Sequence, residues 1–82
     1  MKIFNLDNDY NIVCNWQKTR NGFKHTASLH KNGLIVHECK ICYLNRTWER
    51  FEYESILLKV INYNFDHNQK QNYINIIKEL KG

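Results

Sequence analysis

The sequence predicts an α+β fold: a four-stranded antiparallel meander sheet with two C-terminal helices packed on one face, in the order ββββαα. Three observations predict it. Apolar and polar residues alternate strictly through the first half of the chain. Two Asn-Gly pairs, Asn21-Gly22 and Asn32-Gly33, interrupt that alternation as hairpin turns do. After Tyr43 the apolar spacing changes to that of amphipathic helices.

The start, Lys2 to Leu6, reads as a short edge strand that turns through Asp7-Asn8-Asp9 into Tyr10. Pairing Leu6 with Tyr10 and Phe4 with Ile12 keeps their side chains on the core face. In the second strand Ile12, Cys14 and Trp16 alternate with Asn15, Gln17 and Thr19. In the third, Phe23, Ala27 and Leu29 alternate with Lys24, Thr26, Ser28 and His30. Both patterns describe half-buried strands. A two-residue type I′ turn at Asn21-Gly22 sets Arg20 opposite Phe23, Trp16 opposite Ala27 and Cys14 opposite Leu29.

The fourth strand runs from Leu34 to Tyr43, with Ile35, Cys39, Ile41 and Tyr43 on one face. A two-residue turn at Asn32-Gly33 would pair Leu29 with Val36 and turn Ile35 and Ile41 to the polar face. A three-residue loop, Lys31-Asn32-Gly33, with left-handed Gly33 in a G1 bulge, restores the parity. It predicts Leu29 opposite Ile35, Ala27 opposite His37, His25 opposite Cys39 and Phe23 opposite Ile41.

For the first helix, Asn45 or Thr47 is the expected cap, and Glu49 and Glu52 lie in or near the first turn. Trp48, Phe51, Ile56, Leu57, Leu58, Val60 and Ile61 give it a wide apolar face up to about Asn62. Asp66 then caps a second helix, with Gln69 three residues on as its capping-box partner. Tyr73, Ile76, Ile77 and Leu80 follow helical spacing toward Gly82.

The 82 residues are expected to form a single α+β domain. A chain of this size buries only about 60 to 65% of its unfolded surface, so it supports one core and no second lobe. At 43% apolar and 13% aromatic residues, the composition is that of a globular protein. No run of 18 apolar residues occurs, so no membrane contact is expected. Met1-Lys2-Ile3-Phe4 leads into Asn5 and Asp7 rather than an apolar stretch, which is not a secretion signal. The three cysteines, Cys14, Cys39 and Cys42, therefore read as reduced thiols in a cytoplasmic protein. Proline is absent, while Asn occurs 12 times and Ile and Lys nine times each. Such a bias accompanies A+T-rich coding DNA, as in low-GC bacteria and their phages.

Charge is uneven. Residues 11 to 50 hold Lys18, Arg20, Lys24, Lys31, Lys40, Arg46 and Arg50 against Glu38 and Glu49, a balance of +5; the remainder sums to −1. A basic half suggests an anionic partner such as nucleic acid. The plainer reading is a solvated sheet face that keeps the protein soluble and discourages edge pairing.

Motifs for chemistry are scarce. His37-Glu38-Cys39-Lys40-Ile41-Cys42 contains a C-x-x-C, and Cys14 and His37 could complete a zinc set. Residues 39 and 42 have opposite strand parity, however, so their sulfurs should point to opposite faces. No metal and no cofactor is expected. His25 and His37 fall on the core-facing side as structural histidines. There is no nucleophile elbow, phosphate loop, H-E-x-x-H or paired carboxylate array, so a non-enzymatic role is expected.

The most distinctive string is Tyr43-Leu44-Asn45-Arg46-Thr47-Trp48-Glu49-Arg50-Phe51-Glu52-Tyr53-Glu54. Asn45, Thr47 and Trp48 suit structural roles. Arg46 and Arg50 are open to a functional one, because a helix start does not favour positive charge. The string resembles a Y-L-N-R-T-W-E-x-aromatic motif of small uncharacterised phage and mobile-element proteins from low-GC Gram-positive bacteria. The resemblance runs from about Arg20 to Leu58 and carries no assigned activity or functional residues. It implies a phage or mobile-element setting, in which small cytosolic proteins often bind nucleic acid or inhibit host machinery, CRISPR defence included.

These readings converge on a small basic binding protein. Lys18, Arg20, Lys24, Lys40, Arg46 and Arg50 form the candidate site for nucleic acid or for a host nucleic-acid-binding channel. The alternative is an inhibitor, anti-CRISPR-like, that touches a host enzyme or defence complex through exposed Leu34, Val36 and Val13. A homodimer through the outer face or an edge strand is a third possibility.

Overall fold

The computed structural model describes residues 1–44 and 53–81, with side chains described to residue 79. Four strands, β1 (Lys2–Asn5), β2 (Tyr10–Lys18), β3 (Gly22–Lys31) and β4 (Leu34–Leu44), precede α1 (Glu54–Asn64) and α2 (His67–Lys81). The sheet is fully antiparallel with strand order β1-β2-β3-β4, the meander expected from the alternation. Phe4 faces Ile12 as expected, and the Leu6 N–H donates to the Tyr10 carbonyl at 3.0 Å.

Parity holds throughout the central hairpin, but its register does not. Trp16 lies opposite His25, Cys14 opposite Ala27 and Ile12 opposite Leu29, a shift of two residues from the expected pairing. The connection uses Thr19 to Gly22, and the Thr19 N–H donates to the Gly22 carbonyl at 2.9 Å. Neither Asn21 nor Gly22 has positive φ, so no type I′ turn forms there. Gly22 serves β4 instead. A Cβ at this position would stand 1.9 Å from the Tyr43 carbonyl oxygen, so only glycine lets the two backbones approach.

The second Asn-Gly pair does form the two-residue turn. Asn32 (φ 51°) and Gly33 (φ 84°) are both left-handed, as type I′ requires, and Lys31 pairs with Leu34. The expected three-residue loop with a G1 bulge at Gly33 therefore does not form; a different bulge lies within β4, where His30 faces Ile35 but Leu29 faces His37. Val36 is the extra residue. The core face of β4 is therefore His37, Cys39, Ile41 and Tyr43, opposite Leu29, Ala27, His25 and Phe23. Ile35, expected inside, is 57% exposed because it precedes the bulge.

The helices close over that face. Ile56, Leu57, Val60 and Ile61 of α1 and Tyr73 and Ile77 of α2 join Phe4, Leu6, Ile12, Cys14, Ala27 and Leu29 in one buried cluster. Ile12, Cys14, Ile56, Leu57, Val60 and Ile61 are fully excluded from solvent. α1 begins later than expected, with Tyr53 at its N-cap position and no side-chain cap. Asn45, Thr47, Trp48, Glu49, Phe51 and Glu52 lie outside the described residues, as does the side chain of Leu80. Asp66 caps α2 as its sequence suggests: its Oδ1 accepts the Gln69 N–H at 2.9 Å, a contact that typically contributes about 1 kcal/mol.

One tertiary hydrogen bond ties the chain's two ends. The Tyr73 hydroxyl donates to Asp7 Oδ2 at 2.7 Å, while Asp7 Oδ1 accepts the N–H groups of Asp9 (2.9 Å) and Tyr10 (2.8 Å). Burial raises the Asp7 pKa, but those hydrogen bonds outweigh it and hold the carboxyl below its ordinary value. Burial first, then the bond to Asp7, pushes the Tyr73 hydroxyl up to about 12. The depressed Asp7 stabilises the fold above the unfolded carboxyl pKa near ~3.9, and that contribution fades as pH falls through the lower folded value. The raised Tyr73 stabilises it below ~10, and that part is lost as pH rises toward the folded value. Tyr73→Phe should lower stability by about 1 kcal/mol at neutral pH and flatten both limbs. Urea unfolding from pH 2 to 11 checks it; an unchanged pH profile in the variant would count against the link.

Candidate binding face

The outer face of the sheet carries the polar partners of the core residues. Its rows read Gln17–Lys24–Cys42, Asn15–Thr26–Lys40, and Ile3–Val13–Ser28–Glu38 across neighbouring strands. Among the described residues the helices cover only the opposite face, so these side chains keep access to solvent. Asn15, Thr26, Ser28, Glu38 and Lys40 are among the residues lining a shallow depression of about 430 Å³ at the centre of this face. Beside the β3–β4 turn, Leu34 (73% exposed), Ile35 and Val36 (52%) add apolar surface.

The six basic residues expected to form one surface are divided. Lys24 and Lys40 lie on the outer face, on adjacent rows. Arg20 sits exposed in the β2–β3 connection at the Lys24 end. Lys18 faces the other way: it lies opposite Phe23 and shares the parity of Trp16, beyond the reach of the helical cover. Arg46 and Arg50 lie outside the described residues. Other cations are used elsewhere, Lys2 over the Phe4 ring at 5.4 Å and Lys31 over the Tyr10 ring at 5.5 Å.

Cys39 and Cys42 occupy opposite faces, Cys39 opposite Ala27 and Cys42 opposite Lys24, as their parity demands. Among the described residues no group of three metal-ligating side chains comes together. Burial raises the Cys14 thiol to about 12, which makes it an inert core residue. Burial also raises Cys39, partly offset by the Lys59 charge.

Both core-side histidines contact aromatic rings. His25 is fully buried, its ring centroid 5.1 Å from those of Tyr43 and Tyr53 and 5.5 Å from that of Phe23. His37 stacks on Tyr63 at 4.5 Å with 2° between the planes. Its Nδ1 accepts from the Asn64 amide at 2.8 Å and lies 3.5 Å from Cys39 Sγ. A Cys–His–Asn set invites a catalytic reading. Here thiol and amide meet the same ring nitrogen, and the amide already occupies its lone pair, so His37 is poorly placed to take a proton from Cys39. Sequence alternation placed both histidines on this side but could not show their ring partners from the helices.

The chain matches no family model, no curated protein and no solved structure. No helix among the described residues is long and apolar enough to cross a membrane.

Proposed function

We propose that the protein is a non-enzymatic binding module of phage or mobile-element origin that engages nucleic acid, or a nucleic-acid-binding channel, through the outer face of its sheet. The observation that carries this reading is the patch of Lys24 and Lys40 among Asn15, Gln17, Thr26 and Ser28, opposite the helix-covered face. Lysines among hydrogen-bonding side chains, with Glu38 as the one acid of the described rows, suit a phosphate backbone, which takes point charges without demanding base contacts. Arg20 extends the patch at one end.

The test is a binding isotherm against single- and double-stranded DNA and RNA at two salt concentrations. Contacts to three phosphates, through Lys24, Lys40 and Arg20, would lower affinity roughly fortyfold from 50 to 200 mM salt. Lys24→Glu with Lys40→Glu should weaken binding to all sequences and reduce the magnitude of the log–log salt slope by about 2. No binding at low salt rejects the nucleic-acid reading.

Exposed Leu34 and Val36 favour the second reading, an inhibitor that acts by direct contact with a host enzyme or defence complex. Such a contact survives nuclease treatment, whereas capture through nucleic acid does not.

A further inference from the structure

β4 is the longest strand in the sheet and lies at its edge, paired on one side with β3. The direction of its backbone groups follows from the hairpin. The Gly22 carbonyl is bonded by Thr19, so even-numbered residues of β3 address β2 and odd-numbered ones address β4. Past the bulge, the odd-numbered residues of β4 therefore face β3. Glu38, Lys40, Cys42 and Leu44 turn their N–H and C=O groups to the outer edge. The Lys59 ammonium, 3.4 Å from the Lys40 carbonyl, reaches that oxygen from α1 and agrees with the assignment.

The side chains of this edge strand have an internal complementarity. Reversed about Cys39, the outer-face residues up to the bulge match themselves: Glu38 meets Lys40 and Val36 meets Cys42. The inner-face residues do the same, His37 with Ile41. A shift by two residues in either direction sets Glu38 opposite Glu38 or Lys40 opposite Lys40, like charges that destabilise a cross-strand pair.

We propose that a second copy of the chain docks on this edge, β4 antiparallel to β4, with Cys39 on the two-fold axis and Glu38 opposite Lys40 of the other copy. The two sheets become one eight-stranded sheet with the helices of both copies on the same side. Glu38 and Lys40 form hydrogen-bonded pairs, and Cys39 faces its copy in a non-hydrogen-bonded pair, as the outward parity requires. The association brings Val36 and Leu44, which are 52% and 68% exposed in the single chain, beside the other copy, and the Lys40 carbonyl exchanges the Lys59 ammonium for the Glu38 N–H of the other copy. It is independent of the nucleic-acid reading.

Light scattering at increasing concentration, without nucleic acid, is the test. The expected mass rises toward twice the 10.0 kDa of one chain. Glu38→Lys alone and Lys40→Glu alone should each remain folded by circular dichroism and stay monomeric. Mixed together, they should pair, because each then offers the charge the other lacks, and the double variant E38K/K40E should dimerise like the natural chain. A wild-type chain monomeric at high micromolar concentration overturns the proposal, as do single variants that still self-associate or a mixture that does not.

Discussion

Gly22→Ala should destabilise the protein by on the order of 3 kcal/mol, at the upper end of overpacking effects. The methyl group would be placed 1.9 Å from the Tyr43 carbonyl oxygen and 2.9 Å from its carbon. Both are backbone atoms, so no side chain can swing away. Relief requires β3 and β4 to separate at their ends, and that pulls Phe23 from the Tyr43 ring with which it stacks at 5.1 Å. Gly33→Ala is the control. Its site is open, with nothing within 4 Å, and only its φ of 84° resists substitution. It should cost about 1 kcal/mol. Urea unfolding of the two variants should therefore rank Gly22→Ala well below Gly33→Ala in stability; equal losses would mean that the close approach is not the constraint.

Leu57→Ala should cost about 3 kcal/mol, within the 2–5 kcal/mol typical of a buried leucine. Leu57 is fully excluded from solvent and belongs to the cluster that joins α1 to Ile12 and Leu29 of the sheet. A domain of this length holds on the order of 4–12 kcal/mol in total, so the loss is a large share. Leu58, one position on and only half-buried, gives the comparison: Leu58→Ala should lose clearly less. Thermal or urea denaturation distinguishes them, and similar losses at both positions would contradict the assigned helix face.

The difference between parity and register explains what could be read from the amino acids. Alternation states which face a side chain takes, and Ile12, Cys14, Ala27 and Leu29 all take the expected one. It is silent about shifts of two residues, which preserve every face. Turn geometry decides those. Two identical dipeptides behave differently here: Asn32-Gly33 adopts the left-handed pair, while Gly22 is held by its contact with a strand that lies 21 residues further along the chain. The bulge was inferable from the need to keep Ile41 inside, but its position at Val36 depends on which turn forms. For the candidate surface, the placement of Lys24 and Lys40 followed from alternation. Lys18 was separable by the same rule, since it shares Trp16's parity and could never have joined them. The partners of His37, Asn64 and Tyr63 come from α1, and no periodicity links that helix to one particular strand position.

The bond between Tyr73 and Asp7 has a kinetic consequence. Each strand pairs with its neighbour in the chain, so the sheet can zip up through short connections whose closure entropy is small. The Asp7–Tyr73 contact spans 66 positions and must wait until α2 docks. A contact of such long sequence separation is expected to form late, so stopped-flow kinetics of Tyr73→Phe should show unfolding accelerated far more than refolding is slowed.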